Sequence, residues 1–99
     1  MSVTAHDAEL HQRIDEILHY LWDPIGVAHV PDARDEYANY VPKVFSLLKS
    51  DAKENDIAGY LSEITTERMG LSENIAGDHS IAALLLAWKD KLQMKFGDR

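Results

Sequence analysis

The chain has 99 residues, of which 45% are hydrophobic, so its length and composition suit one domain with a single core. It contains no cysteine, which excludes disulfides, thiolate metal sites and cysteine nucleophiles. Seventeen acidic residues against ten basic ones give a net charge of −7. This balance argues against nucleic acid as a partner, because phosphate contacts need clustered Lys and Arg.

The sequence shows no segment for membrane attachment or export. No apolar run approaches the roughly 20 residues that span a bilayer, and the N-terminus, Met1 to Thr4, begins neither a basic nor an apolar leader. We therefore expect a soluble cytoplasmic protein without a membrane partner. The acidic excess helps to keep such a domain soluble, and it also favours encounter with a basic partner.

Apolar residues at helical spacing predict a first helix over about residues 4–22. Thr4 is placed to cap this helix, and Pro24 prevents it from continuing past Trp22. The tetrapeptide from Asp23 to Gly26 then suits a type I turn, with Asp first, Pro second and Gly last. The apolar stripe of the helix consists of Leu10, Ile14, Ile17, Leu18 and Leu21.

The pattern predicts a second helix over about residues 33–49, after a cap at Asp32. Pro42 falls inside this pattern. It either kinks the helix or is the first residue of a shorter helix that follows a separate turn. We favour the kink. The apolar stripe of this helix consists of Tyr37, Val41, Val44 and Leu48.

Two further helices are predicted over about residues 52–69 and 78–96, with an earlier turn of the last one over residues 72–77 as an alternative. Gly70 is the left-handed residue expected to end the third helix, and Trp88 lies in the apolar stripe of the fourth, where we interpret it as core. No segment alternates with a period of two. The predicted fold is therefore all-α, a small single-domain four-helix bundle or four-helix array.

The loop between the first two helices is the best candidate for a binding surface, because aromatic anchors with an acidic rim suit a protein interface. Trp22 has an alternative role as a plug at one end of the core, with its indole N–H bonded to a loop carbonyl. His29 with nearby carboxylates could instead bind a small ligand or a divalent metal, although this spacing enforces no coordination geometry. The candidate binding residues are Trp22, Asp23, His29, Asp32, Asp35, Glu36 and Tyr37.

Glu16 and His19 have the Glu-x-x-His spacing found in di-iron helical bundles. Counted at about 100° per residue, both side chains point away from the apolar stripe, and the chain has no second motif of this kind. We therefore expect both side chains to face water. No metal and no cofactor are predicted.

Arg68 lies one helical turn beyond Ile64, on the apolar face of the third predicted helix. A guanidinium that points toward a core needs a carboxylate partner. We therefore predict a structural latch between Arg68 and an acid of the loop 23–36, with Asp23 as the first choice.

The last predicted helix has a second apolar face, which Asp90 interrupts. A helix that is apolar on two sides often packs on two sides, so this face is a candidate homodimer seam or partner groove. It consists of Ala83, Leu86, Ala87 and Met94.

Three blocks of the sequence resemble, in their order, a group of short bacterial helical proteins, and the resemblance covers roughly residues 14–88. It implies an all-helical bacterial protein and brings no activity, cofactor or partner with it. The blocks are Leu21-Trp22-Asp23-Pro24-Ile25-Gly26, then Asp35-Glu36-Tyr37 with Tyr40-Val41-Pro42, and then Glu67-Arg68-Met69-Gly70-Leu71.

The sequence contains no phosphate-binding glycine loop, no His-Glu-x-x-His pair and no nucleophile elbow, which argues against an enzyme. We expect a non-enzymatic protein-binding module. One concrete version is an immunity- or antitoxin-like protein that masks a basic partner by charge complementarity. The alternatives are a small-molecule or divalent-metal-binding domain that uses the loop 22–36, and a self-associating structural protein.

Overall fold

The computed structural model describes residues 4–96, and the prediction made for Met1 to Val3 lies outside them. Across the described range the chain forms four α-helices and no strand. The helices are α1 (Ala5–Ile17), α2 (Val41–Lys49), α3 (Glu54–Glu63) and α4 (Ile75–Lys95). This arrangement confirms the predicted all-α, four-helix array.

Both α1 and α3 continue into a wider π-helical segment. The first segment spans Leu18–Trp22 and the second spans Ile64–Arg68. In the first, the N–H of Asp23 donates to the carbonyl of Leu18 at 3.0 Å, five residues back along the chain. A wider turn displaces side chains around the helix axis, so positions counted at about 100° per residue are misplaced there.

The segment predicted as the first half of the second helix is not α-helical. Two short 3-10 turns, Pro31–Ala33 and Ala38–Tyr40, occupy it, and α2 begins only at Val41. Pro42 lies in the first turn of α2, where its missing N–H removes no helical hydrogen bond. The favoured kink is therefore wrong, and the alternative of a shorter helix after a separate turn is correct.

The last helix begins at Ile75, earlier than the predicted start at Asp78. Asn74 caps it, since its side-chain oxygen accepts a hydrogen bond from the N–H of Gly77 at 3.2 Å. A Cβ atom on Gly77 would lie 2.4 Å from the side-chain nitrogen of Asn74, so glycine leaves room for this cap.

The apolar faces meet in one core, in which α4 contacts α1, α2 and α3. Trp88, predicted as core, is half-buried against it, and the guanidinium carbon of Arg13 lies 5.6 Å from its ring centroid. No helix in residues 4–96 combines the length and the apolar character needed to cross a membrane. Buried core side chains include Leu10, Ile14, Ile17, Leu18, Val41, Val44, Leu48, Ile57, Leu61, Ile64, Leu85 and Leu92.

Candidate functional site

The Asp23 carboxylate holds the predicted binding loop together through hydrogen bonds. Its Oδ1 accepts hydrogen bonds from the Val27 N–H and from the Tyr37 hydroxyl, each at 2.7 Å, and its Oδ2 accepts one from the Ala28 N–H at 3.0 Å. The backbone of Asp23 is left-handed, with φ of 34°, a conformation that Asp tolerates better than most residues. The carboxylate therefore joins the end of the first π-helical segment to the loop that follows it.

These contacts set the charge of the Asp23–Tyr37 pair. Burial alone would raise the pKa of Asp23, but the hydrogen bonds from Tyr37, Val27 and Ala28 outweigh it, so the pKa lies below the ordinary 3.8. Burial, together with the bond to Asp23, raises the pKa of the Tyr37 hydroxyl. The pair is thus a carboxylate bound by a neutral phenol at neutral pH.

Trp22 and Tyr37 are not the exposed anchors that the sequence suggested, because they are only 9% and 2% exposed. The indole N–H of Trp22 donates to Oδ1 of Asp78 at 3.1 Å. The plug interpretation of Trp22 is therefore correct about burial and wrong about the acceptor, which is a carboxylate on α4. Sequence reasoning missed Asp78 because an acid near a helix start already has an explanation as a dipole partner.

Asp78 is a buried acid on α4. It is 3% exposed, and its Oδ2 is buried without a hydrogen-bond partner. Burial raises the pKa of Asp78, although the hydrogen bond from Trp22 acts in the opposite direction. A buried carboxylate with one oxygen unsatisfied disfavours folding, and such groups are concentrated at functional sites.

Asp78 and Trp22 line a pocket of about 390 Å³ between the end of the first π-helical segment, the connection before α4, and the first turns of α4. We call it the Trp22–Asp78 pocket. Its apolar rim includes Leu21, 60% exposed, and Leu71, 37% exposed, with Pro24 beside them. We call Leu21, Pro24 and Leu71 the docking rim. An apolar rim over a few polar groups is the usual composition of a ligand pocket.

The polar residues of the predicted loop surface do not converge on this pocket. His29, Asp32, Asp35 and Glu36 are exposed along the loop. Within residues 4–96, no three His, Asp or Glu side chains are grouped closely enough to hold a metal ion. The loop therefore offers exposed negative charge in place of a chelating cluster.

His19 is 2% exposed, so the expectation that it faces water is wrong. It lies near the start of the first π-helical segment, and the Tyr37 ring, with its centroid 6.3 Å from that of His19, covers this side of the helix. The His19 ring meets the Tyr20 ring edge-on at 4.4 Å, and its Nδ1 is buried without a partner. Glu16, in the regular part of α1, is partly exposed and accepts hydrogen bonds from Gln12 and Arg13.

The predicted latch between Arg68 and Asp23 does not form. Arg68 is exposed, with its guanidinium carbon 6.0 Å from the centroid of the Tyr40 ring, while protein donors occupy both oxygens of Asp23. Arg68 ends the second π-helical segment, so its side chain also departs from the face that regular counting assigns.

The proposed outer face of α4 is partly exposed. Ala83, Ala87 and Met94 face outward, and Met94 is 82% exposed. Leu86 instead packs against the core from a half-buried position. A homodimer through this face remains a prediction.

Comparison of the chain with protein-family models, with curated proteins and with solved structures finds no match. The resemblance to short bacterial helical proteins therefore remains a prediction. The candidate site rests on its own geometry, a buried Trp–Asp pair beneath an exposed apolar rim.

Proposed function

We propose that this protein is a non-enzymatic binding module that recognises a basic polypeptide through the docking rim and the exposed acids of the loop 22–36. The observation that carries the proposal is the Trp22–Asp78 pocket, with its buried carboxylate below exposed Leu21 and Leu71. Exposed apolar side chains around a recess favour association, and the acidic surroundings select a partner of opposite charge.

The charge of the whole chain supports a basic partner. The net charge is −7, and Asp32, Asp35 and Glu36 are exposed on the loop that leads away from the docking rim. Such charges accelerate the encounter with a basic protein, and salt weakens their effect. An immunity- or antitoxin-like protein that masks a basic partner is the concrete form of this proposal, and we propose the cytoplasm as its location.

The lining of the pocket supports binding over catalysis. Its polar side chains are Asp78, Asn74, Thr65 and two serines, and among the described residues no His, Lys or Arg joins them. Asp78 already binds the Trp22 indole, and Thr65 donates to the carbonyl of Ser62 at 3.0 Å. The lining thus supplies no imidazole or amine as general base, and its one carboxylate has Oδ1 bonded to the indole and Oδ2 screened from solvent.

Capture from lysate of the source cells, with quantitative mass spectrometry, tests this function. Tagged wild-type protein is compared with Leu21→Ser and with Met94→Ser, which alters an exposed apolar residue on α4 that is outside the pocket lining. We expect a basic protein that binds the wild type and Met94→Ser, is lost from Leu21→Ser, and is released by high salt. If no basic protein is captured by the wild type and lost from Leu21→Ser, the proposed function is wrong.

A further variant in the same capture experiment tests the negative charges of the loop 22–36. A triple variant, Asp32→Asn with Asp35→Asn and Glu36→Gln, removes three exposed negative charges without changing side-chain size. We expect the triple variant to retain less partner at low salt and to resemble the wild type at high salt, where charges are screened. Equal retention at low salt would contradict the electrostatic part of the proposal.

A further inference from the structure

The Asp78 carboxylate has no charged partner in contact with it within the described chain. Its only hydrogen bond from residues 4–96 comes from the neutral indole of Trp22, and no Lys, Arg or His of that range forms an ion pair with it. Buried charges in proteins are ordinarily paired and hydrogen-bonded. The neighbouring His79 acts to lower the pKa of Asp78 through space, but its Nδ1 lies 2.9 Å from Oε2 of Glu54.

The walls of the Trp22–Asp78 pocket suit an alkylammonium chain. Leu21, Pro24 and Leu71 can cover methylene groups, and the Trp22 ring offers a surface that attracts a cation. A volume of about 390 Å³ falls in the range of small-ligand pockets. Oδ2 itself is screened from solvent, so the incoming group must displace part of the wall, formed on one side by Leu71 and Ser72 in a connection without regular structure.

The charges around the pocket decide whether it suits a cation or an anion. The amino end of α4 would by itself favour an anion. Asp78 lies within the first turns of that helix, however, and its carboxylate opposes an anion in the pocket. His79 acts to lower the pKa of Asp78 and Glu73 to raise it, and both line a neighbouring recess that Asp78 shares, outside the lining of this pocket. An ammonium group in the pocket would give the carboxylate a counter-charge in direct contact.

We propose that the Trp22–Asp78 pocket receives a lysine side chain of the basic partner, an inference that rests on the proposed function. The ammonium group of this lysine lies beside the Asp78 carboxylate, and its methylenes lie against Leu21 and Leu71. Lysine fits this role because it carries a compact charge on a flexible apolar stem. The lysine is the specific anchor, and the loop acids act on the partner at longer range.

The direct test is titration of the protein with two short peptides, acetyl-Gly-Lys-Gly-amide and its norleucine counterpart, which keeps the alkyl chain without the charge. The indole N–H resonance of Trp22 reports binding in proton–nitrogen NMR spectra, and a Trp88→Phe variant assigns it. We expect the lysine peptide to shift this resonance and the norleucine peptide to bind about tenfold more weakly, as for loss of a charge-assisted contact. Equal binding of the two peptides would overturn the proposal.

Two variants locate the effect. Asp78→Asn retains an oxygen for the Trp22 indole and removes the charge, so we expect about tenfold weaker binding of the lysine peptide. Asp90→Asn, on the exposed surface of α4, is the matched control and should bind like the wild type. Unchanged binding by Asp78→Asn would overturn the proposal. If Asp78→Asn fails to fold, the two peptides on the wild-type protein still decide it.

A third arm uses 1,5-diaminopentane, a free amine with the same alkyl chain. If the diamine binds more tightly than the lysine peptide, the ligand of the pocket is a small amine and not a polypeptide side chain, and the proposal is overturned. A partner captured through Leu21 without any preference for lysine over norleucine would leave the proposed function standing and remove the lysine anchor. Preference for lysine with no captured partner would remove the proposed function and leave an ammonium pocket.

Discussion

Two helices end in a π-helical segment, Leu18–Trp22 and Ile64–Arg68, and different interactions hold the residues that follow each segment. After Leu18–Trp22, the carboxylate of Asp23 binds the following loop, and Trp22 is tied to α4. After Ile64–Arg68, the closing bonds come from the backbone, since the N–H of Leu71 donates to the carbonyl of Thr65 at 2.8 Å, and Gly70 takes the left-handed position with φ of 68°. Both ends turn through a left-handed residue, but side-chain hydrogen bonds from Asp23 and Trp22 reinforce the first end, whereas backbone bonds close the second.

Substitution of Asp23 should produce the largest effect. Asp23→Ala leaves the N–H groups of Val27 and Ala28 and the Tyr37 hydroxyl without their acceptor, and we expect a loss of roughly 2–4 kcal/mol in the free energy of unfolding. Urea denaturation followed by circular dichroism measures it. Because the pKa of Asp23 is lowered, its stabilisation is present above pH 3.8 and is lost as the pH falls through the folded-state value. A loss of less than about 1 kcal/mol would contradict the conclusion that the Asp23 side chain holds the loop after Leu18–Trp22.

Gly70→Ala should show the dependence of the second end on backbone conformation. A side chain at φ of 68° is strained even though the space around it is open, so we expect a loss of about 1 kcal/mol. Gly70→Asn, which tolerates the left-handed region, is the control and should lose less. Thermal denaturation of the three proteins ranks them, and equal stability of Ala and Gly at this position would contradict the assignment.

Asp78→Asn should change stability in the opposite direction at neutral pH. The raised pKa of Asp78 means that its protonated form is favoured in the folded state, so the wild type loses stability as the pH rises from below 3.8 through the folded-state value. The variant carries no such group, and we expect it to gain on the order of 1 kcal/mol at pH 7. The gain should disappear below pH 3.8. Denaturation midpoints of both proteins across this range measure the difference.

Arg68→Ala should have the smallest effect. The side chain is exposed, and its guanidinium lies over the Tyr40 ring and close enough to Tyr60 to oppose the burial that raises the pKa of that hydroxyl, so we expect a change within about 0.5 kcal/mol. The same urea titration used for Asp23→Ala measures it. A loss comparable to that of Asp23→Ala would restore the latch that the sequence suggested.

The helical stripes were predictable because a period of 3.6 residues leaves a direct trace in the sequence. Leu10, Ile14 and Ile17 are buried as expected, whereas Leu21, predicted in the same stripe, lies in the π-helical segment and is exposed. Pro42 was ambiguous because proline is acceptable in the first turn of a helix and also at a kink, and only the packing of residues 31–40 decides between them.

The site was less predictable, for a different reason. A wide turn leaves no trace in a hydrophobic pattern, so Arg68 was assigned to the wrong side of its helix. His19 was expected to face water because the pattern of α1 does not reveal that Tyr37 covers it. The pairing of Trp22 with Asp78 joins residues 56 positions apart, and nothing in the local sequence of either one indicates the other. Only the fold brings these two side chains together.

The π-helical segment at Leu18–Trp22 sets the register between α1 and the residues that follow it. Such a segment holds one residue more than an α-helix would over the same rise, so losing a single residue there would restore regular winding and leave the following loop in place. Losing a residue from the regular part of α1, Ala5–Ile17, would instead turn everything after it by about 100° and take the Trp22 indole away from α4. In evolutionary terms, one codon can be lost inside the segment without moving the pocket, whereas one codon lost before it abolishes the pocket even if every residue that lines it is kept.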